Sequence, residues 1–252
     1  MASPRLKSRA IIRLSPQDDG EDVRAFLQGL VTSDVTRDLP VWAGLLSPQG
    51  KAMFDFIVWP SGESEILLDC EQSVADDLVE RLSVYRLRRK IAIERDDKAG
   101  VFWQKQLGDG AAPDPRLTGL GERWIAPVSP DDEAVDAEWL EHRLRLGVPE
   151  GRDELGDILW LETNAAELNG VSFSKGCFIG QENTARMNWR QKVNRRLVVV
   201  RLDASDEKRR VTSYPELGFA VDHLKVADID RSILPEWQAE ALVKQDEASA
   251  QD

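Results

Sequence analysis

Residues 41–46 and 52–59 form two apolar runs on either side of Ser47-Pro48-Gln49-Gly50. Proline and glycine stand where a type I turn favours them, so the sequence predicts an antiparallel hairpin. A hairpin returns the chain directly to its neighbour, whereas parallel strands need a crossover between them. Further strands are predicted at residues 10–14, 65–69, 90–94, 101–106 and 196–202, from alternation or short apolar runs. Val23, Phe26, Leu27 and Leu30 mark one face of a helix over 21–30, with Asp18 or Asp19 as its cap. Val74, Leu78, Leu82 and Tyr85 mark a second helix. Val135, Trp139, Arg143 and Leu146 mark a third, stopped by Gly147 with Pro149 beyond. Residues 108–115 and 203–210 read as loops, and a last helix starts near Glu236. Hairpins and helices are segregated rather than alternating, which predicts an α+β fold.

The chain has 252 residues, 42% of them hydrophobic and 31% charged, enough to bury a substantial core. No apolar run approaches the roughly 20 residues of a membrane helix, so no membrane association is expected. Arg5, Lys7, Arg9 and Arg13 precede any acid. They read as a basic tail leading into a strand, with a transit peptide as the alternative; a secretory signal lacks its apolar core. Two distant cysteines, Cys70 and Cys177, make neither a disulfide framework nor a zinc pattern. A reducing compartment follows, and the cytoplasm is the expected location. Cys70 ends an apolar run and reads as a core residue.

The net charge of −12 argues against bulk attraction to nucleic acid. Two basic clusters oppose it. Lys175, Arg186, Arg190, Lys192, Arg195 and Arg196 face a single acid, Glu182, over 175–196; Arg81, Arg86, Arg88, Arg89 and Lys90 form the other. Phosphate-binding loops, dinucleotide fingerprints and serine-nucleophile elbows are absent. His142 and His223 stand without a metal-binding constellation in sequence, so no metal site is expected.

One segment is dense in chemistry: Val171-Ser172-Phe173-Ser174-Lys175-Gly176-Cys177-Phe178-Ile179-Gly180-Gln181-Glu182, followed by Thr184, Ala185 and Arg186. Two glycines allow unusual backbone angles around Cys177, and Lys175 and Arg186 would favour its thiolate. Cys177 thus reads as a nucleophile, a redox thiol or a transient metal ligand, or else as a small buried residue in a turn. Gln181 and Glu182 either bind a polar ligand or satisfy the loop's own backbone.

The run from Lys175 to Glu182 resembles the K-G-C-[YF]-x-G-Q-E signature of the YgfZ family. Phe26-Leu27-Gln28-Gly29-Leu30-Val31-Thr32-Ser33-Asp34 resembles its F-L-Q-G-x-x-T-x-D block. Leu45 to Lys51 with Phe54-Asp55-Phe56, Tyr85-Arg86-Leu87-Arg88, and Arg143 with Gly147-Val148-Pro149 resemble further blocks, over about residues 9–202. The family is similar to the glycine-cleavage T-protein, an aminomethyltransferase that uses tetrahydrofolate. The resemblance implies a ring-like, three-part α+β fold with a folate-binding region at 1–195, in two subdomains, and a reduced C-terminal barrel at 196–252. It implies a folate-binding accessory protein for assembly or repair of iron–sulfur proteins, including cluster-dependent tRNA-modifying enzymes, with tRNA reached only indirectly.

On this resemblance Cys177 is the functional thiol, supported by Lys175 and Arg186. Glu162 and Asp55 face a tetrahydrofolate or derivative, and Gln181 and Glu182 shape the site. Arg86 and Arg88 meet the folate's glutamate tail or an acidic partner, or are solvated helix charges. Phe54 stands where the T-protein carries the first of two aspartates, and a phenyl ring cannot manage a proton, so turnover as an enzyme is not expected. Ala166 stands where relatives often carry aspartate. A folate-dependent one-carbon (aminomethyl) transferase and a tRNA-binding adaptor using the 175–196 patch are the alternatives.

Overall fold

A computed structural model describes residues 3–106, 108, 111–189 and 193–250. Its frame is three sheets. In the first, Val41–Leu46, Ala52–Ser61, Glu65–Glu71, Arg9–Pro16 and Ile91–Arg95 lie side by side, all antiparallel. In the second, the order is Glu133–Ala134, Pro4–Leu6, Ala99–Gln104, Glu122–Pro127 and Ala112–Pro113. The third holds Arg195–Arg201, Phe219–Lys225 and Arg210–Tyr214, antiparallel throughout.

The predicted hairpin forms, with Gly44 opposite Asp55 and a bulge where Leu46 meets Ala52. Its apolar runs are nearly continuous because both faces of the sheet are covered. Successive side chains point to opposite faces, so one run feeds two cores. Ala43, Leu45, Phe54, Phe56 and Val58 join a cluster with residues of the helices Val23–Gln28 and Ala75–Arg86. Trp42, Leu46, Ile57 and Trp59 join the other, with Trp103, Trp139 and Trp160. Cys70 belongs to the first core, where burial pushes its thiol up to about 12.

Several expectations need correction. The helix Val23–Gln28 is capped by Asp22, whose carboxylate accepts from Ala25 N, while Asp18 accepts from Lys90 and Gly20. The N-terminal basic residues are not a tail. Pro4–Leu6 is a strand pairing on both sides, and Arg9 is 4% exposed. Glu122–Pro127 and the two later strands of the third sheet were not anticipated, because their sequences are polar and only partly buried. Within the predicted loop 108–115, Asp109 and Gly110 lie outside the described residues; Ala112–Pro113 adds a short strand.

Where the sheets meet, one apolar cluster runs through all three, with Trp42 and Ile57 of the first, Val101 and Trp103 of the second and Leu197 and Val221 of the third, and charged side chains are buried beside it. Glu150 lies 2.6 Å from Arg116, 3.1 Å from Arg123, 3.6 Å from Arg9 and 4.0 Å from Arg143. Asp69 bridges Arg9 and Arg123 at 2.6 and 2.9 Å, Asp114 bridges Arg116 and Arg123 at 2.7 and 2.9 Å, and Glu154 takes Arg143 at 2.6 Å. Every one of these side chains is buried. Burial opposes ionisation of Glu150, yet the surrounding arginines overcome it and hold its carboxyl well below the usual range.

Removing one member of such a network strands a buried charge. Arg123→Met therefore lowers unfolding free energy by about 3–5 kcal/mol, measured by urea denaturation against the wild type.

Candidate functional site

The turn of the hairpin is the base of the site. Gly50 and Gly180 both have positive φ, +78° and +79°, and they face each other. A Cβ on Gly180 would lie 2.6 Å from the Ser47 carbonyl oxygen and 2.9 Å from Gly50 Cα, so only glycine permits this approach. Asn183 Nδ2 donates to Gln49 O at 2.8 Å and locks the two loops together. On its other side the same turn receives Trp160 N on Gly50 O at 2.9 Å, which starts the short turn Trp160–Thr163 that carries Glu162.

Lys175 is the second anchor. Its Nζ donates to the carbonyls of Val31 and Ser33 and stands 5.3 Å over the Phe178 ring. Ser172 N donates to Thr32 O at 2.9 Å, and Thr32 Oγ1 to Gly170 O at 2.6 Å. The chemical segment is thereby pinned to residues 31–33. Burial, partly offset by Asp34, lowers Lys175 to about 8. Its charge is thus used on the backbone, and among the described residues no hydrogen bond or ion pair links it, or Arg186, to Cys177. Cys177 itself is exposed, and a Cβ on the neighbouring Gly176 would meet nothing within 4 Å. Gln181 and Glu182 open the helix Gln181–Trp189, with Glu182 and Arg186 exposed along it.

Glu162 is brought to a partner that sequence spacing does not reveal. His223, 61 residues later in the third sheet, places Nε2 2.9 Å from Glu162 Oε2. The other oxygen, Oε1, makes no hydrogen bond among the described residues. Asp55 is different. It is 6% exposed, and both its oxygens accept, from Trp42 Nε1 and from Gly151 N, at 3.2 Å each. Burial raises its pKa. Asp55 is therefore turned into the seam and is not presented to a ligand, contrary to expectation. Phe54 is buried on the opposite face of the strand.

Folding takes up several members of the two basic clusters. Lys175 and Arg196 are buried, the latter 2.7 Å from Glu167, and Arg190 and Lys192 lie outside the described residues. In the other cluster Arg89 pairs with Glu21 and Lys90 with Asp18, while Arg86 donates to Ile91 O. Arg88 remains exposed. Unforeseen in sequence is a cleft of about 320 Å³ along the seam, lined by Arg9, Trp139, Arg143, Glu150, Arg152 and Tyr214. Among the described residues no group of His, Cys, Asp and Glu is placed to hold a metal ion, and no helix is long and apolar enough to cross a membrane.

No family model matches the chain. It is 33% identical over 236 residues to the iron–sulfur cluster assembly factor IBA57, mitochondrial, of Homo sapiens, covering 78% of this chain and 65% of that protein. It is 30% identical over 233 residues to the Neurospora crassa homolog, with 77% and 52% covered. The chain thus spans between about half and two thirds of the length of these relatives. The crystal structure of the glycine cleavage system aminomethyltransferase T from Bartonella henselae superposes with a TM-score of 0.64 at 12% identity, over 90% of this chain and 79% of that one. The fold is therefore the α+β aminomethyltransferase T fold that the resemblance implied. The cytoplasmic location expected above is overturned: these relatives are named as mitochondrial. A scarcity of cysteines does not discriminate among reducing compartments.

An unfolded lysine keeps its proton to about pH 10.4, whereas folded Lys175 releases it near 8. The unfolded state binds more protons across that window, so stability rises with pH there. Lys175→Met flattens the rise, seen in urea midpoints measured from pH 8 to 10. Gly180→Ala costs roughly 2 kcal/mol from the positive φ, before the contact with Ser47 is counted, in the same assay.

Proposed function

We propose that the chain is an iron–sulfur cluster assembly factor of the YgfZ type, in the same family as the relatives it matches. The observation that carries this reading is the exposed thiol of Cys177, held on a loop that Lys175 and the Gly50–Gly180 contact keep in place. A thiol presented in this way suits brief contact with a cluster or a client protein. The clients include cluster-dependent tRNA-modifying enzymes, and the chain reaches tRNA only through them.

A tetrahydrofolate derivative is the cofactor on this reading. Glu162 fits it: Oε1 makes no hydrogen bond among the described residues, and Oε2, already facing His223, keeps a second acceptor site, so the carboxylate can take the paired N–H donors of a pterin. Asp55 fits less well, since it is buried and held by Trp42 and Gly151. When bound, a reduced folate would supply a one-carbon carrier. The transferase alternative gains nothing from Phe54, which is buried. The tRNA-adaptor alternative is weakened at Lys175 and Arg196, which are buried.

Titration of tetrahydrofolate, followed by the fluorescence of the eight tryptophans, tests the cofactor. Glu162→Ala weakens binding at least tenfold, about 1.4 kcal/mol; no binding by the wild type removes folate from the reading. Separately, in cells lacking the chain, wild type restores the activity of a cluster-dependent enzyme and Cys177→Ser does not. Full restoration by Cys177→Ser would sink the role of the thiol.

A further inference from the structure

The C-terminal end of the helix Ala75–Arg86 exposes apolar surface that the fold does not use. Val84 is 59% exposed and Leu87, one turn on, is 85% exposed. They are the two most exposed large apolar side chains among the described residues, Val84 in the last turn of the helix and Leu87 just past its end. Leu87 also has φ +52°, ψ −113°, a conformation that glycine adopts without strain and a side chain resists. An exposed leucine in a strained backbone gives the isolated chain no packing in return. Strain of this sort concentrates at binding sites.

The charges around it are sorted in the same way. Arg89 and Lys90 are neutralised by Glu21 and Asp18, and Arg95 by Asp97 and Asp76. Arg81 and Arg88, both exposed, have no ion pair or hydrogen bond among the described residues. Asp76, Asp77 and Glu80 are the exposed acids of the helix, a turn or more toward its start from Val84 and Leu87. Glu21, Leu87, Arg88 and Arg89 line an open depression of about 680 Å³. A chain of net charge −12 that leaves two arginines unpaired around two exposed apolar side chains is complementary to an acidic surface with an apolar centre.

We propose that this end of the helix is the docking surface for an acidic protein partner, an iron–sulfur client or carrier, with Leu87 as the apolar anchor and Arg81 and Arg88 as the charges that orient it. The inference rests on the assembly-factor reading and adds to it the surface and charge class of the partner.

The test uses the full chain in cells that lack it, with the activity of a cluster-dependent enzyme as readout. Leu87→Gly relieves the backbone and leaves thermal stability unchanged or higher, yet restores less than a tenth of the wild-type activity at equal chain level. The pair Arg81→Glu with Arg88→Glu fails likewise, and the pair Arg81→Lys with Arg88→Lys succeeds because charge is kept. Restoration by Leu87→Gly or by the glutamate pair equal to wild type overturns the docking surface and leaves the assembly-factor reading intact. Enzyme activity that does not depend on the chain at all overturns both. Sedimentation of the purified protein closes the remaining route: a particle that becomes smaller on Leu87→Gly identifies a second copy as the occupant, and the proposal falls.

Discussion

Glu150 sits where four arginines converge, and the arrangement of the three sheets depends on that convergence. Arg9 and Asp69 come from the first sheet, Arg123 from the second, Arg116 and Asp114 from the segment between Ala112–Pro113 and Glu122–Pro127, and Arg143 from the helix Asp136–Arg145. The hydroxyl of Tyr214, in the third sheet, reaches Glu154 and joins that sheet to the same network. Charges taken out of water must be met by partners of opposite sign with good geometry. Arg9, Arg116 and Arg123 are each shared between Glu150 and an acid from another segment, so displacing the first sheet from the second would leave buried charges unmet. The apolar cluster shared by the three sheets holds them together; the ion network beside it adds pairings that only one arrangement satisfies.

The hairpin turn passes that order on to the site. Its strands are fixed by two apolar cores, one on each face, and Asp55 ties the second strand to the seam through Gly151. At its tip the turn takes the Glu162 segment through Gly50 O and the Cys177 loop through the Gly50–Gly180 contact. One rigid element thus places an acceptor carboxylate and an exposed thiol. Lys175, beside the thiol in sequence, serves the framework: its buried ammonium ties the loop to the carbonyls of Val31 and Ser33.

Charge is distributed on the same principle. Most basic side chains that cluster in sequence are spent on nearby acids or backbone oxygens once the chain folds, as Arg196 with Glu167 and Arg89 with Glu21 illustrate. Of the arginines left over among the described residues, Arg81 and Arg88 stand beside the apolar side chains that the core also leaves over. Coincidence of unused charge and unused apolar surface at a strained residue is what distinguishes that helix end from the rest of an acidic surface.

Local features were legible in the sequence by itself. The turn at 47–50, the helix stop at Gly147, the apolar strand runs and the burial of Cys70 all follow from neighbours a few residues apart, where backbone preference and periodicity act. The signature around Cys177 was legible too, along with the fold it implied. What tertiary structure alone decided is the partner of each charged side chain. Arg9 reads as part of a basic tail until Asp69 and Glu150 are brought beside it; Lys175 reads as support for a thiol until Val31 and Ser33 arrive; His223 reads as isolated until it meets Glu162 across 61 residues. The strands Arg210–Tyr214 and Phe219–Lys225 were missed because the first is polar and the second has only a short apolar run, Phe219 to Val221, broken by the buried acid Asp222, which Ser205 and Asp206 hold. An apolar side chain needs only to leave water, and periodicity records that; a charge needs a specific counterpart, and nothing in the local sequence says which distant residue it will be.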